Sequence, residues 1–309
     1  MQAREETAVF WDELPIPSAN LQIYREIYSL EQWLRRITYA ALMAKHGSTW
    51  RGTLSEELAS ALKQRLRQLS GRVHLDCENS DNAIWLLTLD ELQRLLLADA
   101  TWPMVKQLTN LSRQALESKI SEVREIRNVV GHNRAAGAKT VLIAEAATAS
   151  LQVGIDHFKG ELLYNADSKI YLGDIEEDPA DGVPSEYARL QASGEWAYFQ
   201  SVLSESEFFF ALTRLPSEPF DDYLAVRQFL ERFQPLAHDA LAILVNKLGA
   251  EFTLVWPKNA SEEAHRRILR FFFDHHDYAW IETPYELQSP SAICNPWIWF
   301  YENETPRQI

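Results

Sequence analysis

The 309-residue chain is long enough for two domains of ordinary size, and its 46% hydrophobic and 24% charged residues are those of a soluble globular protein. Its apolar runs, such as Ile84–Leu87 and Phe271–Phe273, fall far short of the roughly 18–20 residues a membrane helix needs. The start is charged (Arg4, Glu5, Glu6) and carries no apolar signal core, so the expectation is a cytoplasmic protein with no membrane partner. Two cysteines, Cys77 and Cys294, make neither a disulfide framework nor a zinc cluster and suit a reducing compartment. The net charge is −14, yet residues 1–150 hold 18 basic and 18 acidic residues. All the excess acid therefore lies in residues 151–309, which hold 12 and 26. Such a chain does not attract nucleic acid through its overall field, and any RNA contact has to be local and is best sought in the neutral half.

After an irregular lead-in with Pro15 and Pro17, apolar residues recur at helical spacing from Leu21 to about Lys45: Ile23, Ile27, Leu30, Leu34, Ile37 and Ala41. Gly47 is placed to end that helix. A second helix is expected over Ser55–Leu69, acidic at its start (Glu56, Glu57) and basic at its end, as the helix dipole favours. Thr88 opens a helix to about Ala98, and Thr101-Trp102-Pro103 marks a break and a new start. The next helix is expected over Ser112–Asn133, and one more over Ala138–Ser150, completing a bundle of four or five segments.

A linker is expected over about 160–185, acidic at Asp174–Asp181, with a short strand near Tyr171-Leu172. Helices follow around Glu186–Leu203 and Asp221–Lys247. The last 60 or so residues change character. Phe252–Trp256, Tyr278–Glu282 and Trp297–Tyr301 read as strands bounded by prolines, with a helix over Glu262–Phe273 between the first two. The expected fold class is thus α+β: an all-helical bundle over 20–150, then an acidic α+β domain with a small sheet over 160–309.

The stretch that carries chemistry is Glu122–Arg134, EVREIRNVVGHNR. On a helix turning about 100° per residue, Arg124, Asn128 and His132 form one polar stripe, Arg127 sits beside it, and Ile126, Val129 and Val130 supply the apolar face. These side chains make a set suited to phosphate chemistry. A histidine moves protons near neutral pH, an arginine grips two phosphate oxygens in a rigid fork, and an amide orients either. A lone Arg and His on an amphipathic helix are more often a solvated face, so the pattern needs its context.

That context resembles a known family. Arg127-Asn128-Val129-Val130-Gly131-His132 is similar to the Arg, polar residue, then His signature of HEPN ribonucleases, with four residues between Arg and His. Tyr24–Trp50 resembles the first helix of the HEPN subfamily found in a nuclear mRNA-surveillance endonuclease and in many prokaryotic proteins. Leu87–Trp102 resembles its middle element, a Leu-Thr-Leu opening followed by a Trp turn. The resemblance covers about half the chain, residues 20–150. It implies a helical homodimer whose two motifs face each other and which cleaves RNA without metal or other cofactor. The RNA 2′-hydroxyl attacks the adjacent phosphorus and leaves a 2′,3′-cyclic phosphate and a 5′-hydroxyl. By the same resemblance His132 is the acid/base or phosphate-contacting group, Arg127 stabilises charge on the phosphorus, and Asn128 positions the phosphate or His132. Gly131 lets paired helices approach. Arg124 and Arg134 are secondary candidates for substrate contact.

Elsewhere the signals are weaker. Lys63, Arg65, Arg67 and Arg72 form a basic cluster that reads first as a solvated helix face. Asp274-His275-His276-Asp277 holds metal-type ligands, but adjacent residues cannot all face one ion, so no metal site is expected. The aromatic run Pro296–Tyr301 reads as sheet core or interface. The sequence thus favours an endoribonuclease of a prokaryotic stress or phage-defence type, restrained by a regulatory partner or by its acidic C-terminal half. The rival is a HEPN module that binds RNA or a nucleotide without cutting it, as a subunit of a larger complex.

Overall fold

The structure is a computed structural model that describes residues 17–70, 83–132, 134–164, 168–172, 201–205, 208–214, 238–246, 251–274 and 297–301. It is an α+β chain. Its elements, in order, are α1 (Ser18–His46), a 3₁₀ segment (Gly47–Thr53), α2 (Glu56–Ser70), a 3₁₀ turn (Ala83–Leu86), α3 (Leu89–Leu97), α4 (Trp102–Thr109), α5 (Arg113–Gly131) and α6 (Ala138–Tyr164). Then come β1 (Ser168–Leu172), β2 (Ser201–Glu205), β3 (Phe209–Arg214), β4 (Ala242–Asn246), β5 (Glu251–Pro257), α7 (Glu262–Asp274) and β6 (Trp297–Tyr301). Two compact units divide these elements. The first takes the described residues up to Arg35 and Thr88–His157; the second takes Arg36–Leu87 and the described residues from Phe158 on. The division expected at about 150–160 followed charge and resemblance, whereas packing divides the chain inside α1 and inside α6.

The first unit is all helical. In α1 the residues picked out by spacing, Ile23, Ile27, Leu30 and Leu34, are buried. Helix α3 starts with a reciprocal cap: the Glu91 backbone N–H donates to Thr88 Oγ1 at 3.3 Å, and the Thr88 backbone N–H donates to Glu91 Oε2 at 2.8 Å. Pro103 sits in the first turn of α4, where its missing N–H costs nothing, and Asn110 ends that helix in the left-handed region (φ 51°). Ser112 caps α5, accepting from the Ala115 N–H at 3.2 Å. One face of α5 is buried throughout: Leu116, Ile120, Val123, Ile126 and Val130.

Helix α6 runs 14 residues beyond its expected end at Ser150. The apolar spacing continues through Leu151, Ile155, Phe158 and Leu162, all buried, and overrides the breaking tendency of Gly154 and Gly160. Gly154 has a packing reason to be glycine, since a Cβ there would stand 2.5 Å from Leu111 Cδ1 and 3.2 Å from Thr109 Cβ. Around Gly160 the space is open.

In the second unit, α1 ends at Gly47, whose φ of 59° is the left-handed stop expected of it. The following 3₁₀ segment buries Trp50 edge-on against Tyr39, with ring centroids 5.9 Å apart. Arg65 of α2 donates to the Leu86 carbonyl at 2.9 Å, so one member of the basic cluster holds a turn rather than facing solvent. Among the described residues the sheet has six strands in the order β1-β2-β3-β5-β4-β6, antiparallel except for the parallel β4–β6 pair. Residues 253–256 of β5 and Ala242–Leu244 of β4 are fully buried without alternation, as in strands covered on both faces.

This sheet is larger than expected. Strands at Phe252–Trp256 and Trp297–Tyr301, the strand near Tyr171 and the helix after Pro257 stand where the sequence put them. Two helix expectations need correcting: residues 201–203 belong to β2, and Ala242–Asn246 form β4. Strand β3 was not anticipated at all. A short, continuous apolar run such as Ala242-Ile243-Leu244-Val245 has no period to separate strand from buried helix. The run Tyr278–Glu282 lies outside the described residues.

Helix α7 docks through Ala264, His265, Ile268 and Leu269. The Trp256 indole Nε1–H of β5 donates to His265 Nδ1 at 2.9 Å, which fixes that nitrogen as an acceptor. Burial pushes the His265 pKa below its usual value, against smaller opposing effects of the Lys258 and Ala260 backbone and of Asp239 and Glu262. The unfolded chain therefore takes up this proton before the folded one as pH falls. Stability supplied by neutral His265 is complete above about pH 6.5 and declines as pH drops from there toward the lower folded value. Urea unfolding at pH 7.5 and pH 5 should show a loss of stability in the wild type that is smaller in His265→Gln. Equal losses in the two would remove His265 from the acid response. On α6, Gly160→Ala should stabilise by about 1 kcal/mol, while Gly154→Ala should destabilise by about 1 kcal/mol net, because overpacking outweighs helix propensity. Thermal melts of the two variants check this, and equal shifts would show that Leu111 moves aside freely.

Candidate functional site

The sequence motif lies at the C-terminal end of α5. That helix keeps its capped start and buried spine to Val130, then stops at Gly131, two residues earlier than the expected Asn133. His132 follows as the C-terminal cap, with φ −94° and ψ 20°. It is therefore not a third member of a regular helical stripe. Asn133 lies outside the described residues. The Arg134 backbone N–H returns to the Val129 carbonyl at 3.1 Å, which satisfies one of the orphan carbonyls of the helix end.

The named side chains separate into two groups. Arg124 and Arg127 are engaged with neighbouring helices. Arg124 pairs with Asp90 in the first turn of α3 at 2.5 Å. Arg127 Nε forms an ion pair with Glu31 Oε1 of α1 at 2.7 Å. By contrast, Asn128, His132 and Arg134 are exposed. Among the described residues, the side chains of Asn128 and His132 make no hydrogen bond, and Arg134 offers its backbone carbonyl to Asn20 Nδ2 at 2.9 Å.

Glu31 is the residue that sequence reasoning missed. Its side chain is only 9% exposed and also pairs with Arg35, one turn on, at 3.2 Å. One buried carboxylate thus stands between a buried arginine and the half-exposed Arg127, which remains 49% open to solvent. The signal was available: Glu31 sits at the edge of the apolar face of α1, with a cation four residues later.

Two anchors set how α1 and α5 lie against each other. At one end Asn20 donates to the Arg134 carbonyl and accepts from the Ala136 N–H, both at 2.9 Å. At the other, Glu31 meets Arg127. The helices therefore run antiparallel, and the stretch of α1 between Asn20 and Glu31 lies alongside the Arg127–Arg134 end of α5. A Cβ at Gly131 would meet nothing within 4 Å, so the site is open on that side.

Among the described residues no group of three or more His, Cys, Asp or Glu is placed to hold a metal, and His275–Asp277 lie outside those residues. Nor is any helix among them long and apolar enough to cross a membrane. Comparison of the chain with family models, with characterised proteins and with solved structures gives no match.

What the arrangement can do is hold a guanidinium rigidly from behind while leaving an amide and an imidazole free at a helix end. Glu31→Gln should loosen that hold and weaken the pairing of Arg35, destabilising the protein by about 3 kcal/mol. Because Arg127 is half exposed, Arg127→Ala should cost far less, under about 1 kcal/mol. Chemical unfolding of both variants checks the contrast. Similar small losses would show that water, not Arg35, already satisfies the carboxylate.

Proposed function

We propose that the chain is a metal-independent endoribonuclease of a prokaryotic stress or phage-defence type, acting as a HEPN-like homodimer. The observation that carries this reading is the exposure of Asn128 and His132 beside an Arg127 braced by buried Glu31. The resemblance of Arg127–His132 to the HEPN signature supplies the reaction. The 2′-oxygen of a ribose attacks the adjacent phosphorus, the bond from phosphorus to the 5′-oxygen breaks, and the 2′ proton leaves as the 5′-oxygen gains one. His132 serves one of these proton transfers or contacts the phosphate. Arg127 meets the charge that develops on the phosphoryl oxygens, and its brace on Glu31 limits the reorganisation needed at that moment. Asn128 orients the phosphate or His132, while Arg124 and Arg134 are the outer contacts to substrate. The acidic C-terminal half would restrain the enzyme by repelling RNA or by docking a regulatory protein.

A second reading draws on the pairing of Arg124 with Asp90 and of Arg127 with Glu31. Arginines already neutralised within the chain suit a HEPN module that binds RNA or a nucleotide without cutting it, as part of a larger complex.

Cleavage of mixed RNA including tRNA, with EDTA present, decides between them. The first reading expects cyclic-phosphate and 5′-hydroxyl ends, with rates at least about 100-fold lower in Arg127→Ala and in His132→Ala. A folded wild-type protein that binds RNA and cuts none, with or without its acidic half, transfers the assignment to the binding module.

A further inference from the structure

Beside the motif, α1 presents an apolar surface that the catalytic reading leaves unused. Tyr24 and Tyr28 are each 59% exposed, one turn apart, and Leu21 extends the same face at 44%. An exposed tyrosine is unremarkable singly, but two in register on one face next to a phosphate-type site are not. Their position follows from the two anchors already described. Asn20 is fixed at Arg134 and Ala136, and Glu31 is fixed at Arg127. Tyr24 and Tyr28 fall between these points, at the level of Asn128–His132 along α5. On the α1 helix Tyr24 lies only about 20° around the axis from Glu31, so it is on the side that meets α5. At the end of α5, a Cβ at Gly131 would meet nothing within 4 Å.

We propose that Tyr24 and Tyr28 are a stacking platform for unpaired bases of single-stranded RNA flanking the phosphate held at Arg127, Asn128 and His132. The proposal rests on the ribonuclease reading for the identity of the strand. Two features favour this occupant. The surface is made of aromatic rings with polar tips, which stack on any base and tolerate water at the edge. It is bordered by the exposed cations Arg25 and Arg134 and by half-exposed Arg127, which suit a phosphate backbone. Only unpaired bases can reach the rings, because in a duplex their faces are stacked on each other.

The test measures binding of a short labelled single-stranded RNA to the full chain in a His132→Ala background, where cleavage is blocked. Tyr24→Ala with Tyr28→Ala should weaken binding about tenfold or more, while Tyr24→Phe with Tyr28→Phe should stay within about twofold of the parent. An abasic strand of equal length should bind both proteins alike. The platform is overturned if the alanine pair binds RNA as the parent does, or if it loses the abasic strand equally. A changed oligomeric mass in the alanine pair overturns it too, by giving the patch to a second copy. Cleavage by the His132-containing protein, run in parallel with EDTA, separates the two claims. Cleavage with ring-independent binding ends the platform and keeps the ribonuclease, whereas ring-dependent binding without cleavage does the reverse.

Discussion

A carboxylate taken out of water must be paired, and the helical unit meets that demand at Glu31. Its two partners differ in kind. Arg35 lies on the same helix and is itself buried, so it holds the charge in place. Arg127 reaches over from α5 and stays half in solvent. The pairing with Arg127 joins two helices far apart in sequence, and the Asn20 contacts to Arg134 and Ala136 fix the other end of the same pair. Between these anchors the motif end of α5 has little freedom to slide or turn against α1. Buried ion pairs are weak sources of net stability, because desolvation offsets most of the Coulomb gain. Their use here is positional: a guanidinium is presented at a defined place with its other edge open to solvent.

The same principle explains which parts of the molecule were legible in the sequence. Long amphipathic helices with capping chemistry could be read almost to the residue, because Thr88 with Glu91, Ser112, Pro103 and Gly47 each act locally. Strands β5 and β6 were legible from aromatic and β-branched residues bounded by proline. What escaped were elements defined only by distant partners. Strand β4 is an apolar run whose identity depends on β5 and β6 on either side, and β3 depends on pairing Phe210 with Trp256. The continuation of α6 past Gly154 depends on Leu111 occupying the space a side chain would have filled.

The candidate site divides in the same way. Sequence spacing brought Arg127, Asn128 and His132 together, and on the chain they remain neighbours at one helix end. Spacing also put His132 on the helical stripe, but a glycine at the last helical position and the return of Arg134 to Val129 end the helix first. Nothing local marked Glu31 as the partner of Arg127, since the two are nearly a hundred residues apart and meet only when α1 and α5 pack. A sequence reading recovers candidate polar groups more readily than the groups that hold them, because the holders are chosen by the fold.

Charge then constrains how such a site would bind RNA. With every excess acidic residue in 151–309, long-range attraction is absent, and binding energy has to come from contacts near the motif. Each phosphate neutralised on a single strand contributes a salt-dependent term of about 0.7 in the logarithmic slope, so three or so arginines give only a modest electrostatic share. Two of the motif's cations are also partly spent on Asp90 and Glu31. The remaining affinity would need a term that neither salt nor the distant acid suppresses. Base stacking on exposed rings is such a term, and the two tyrosines of α1 stand where it would act.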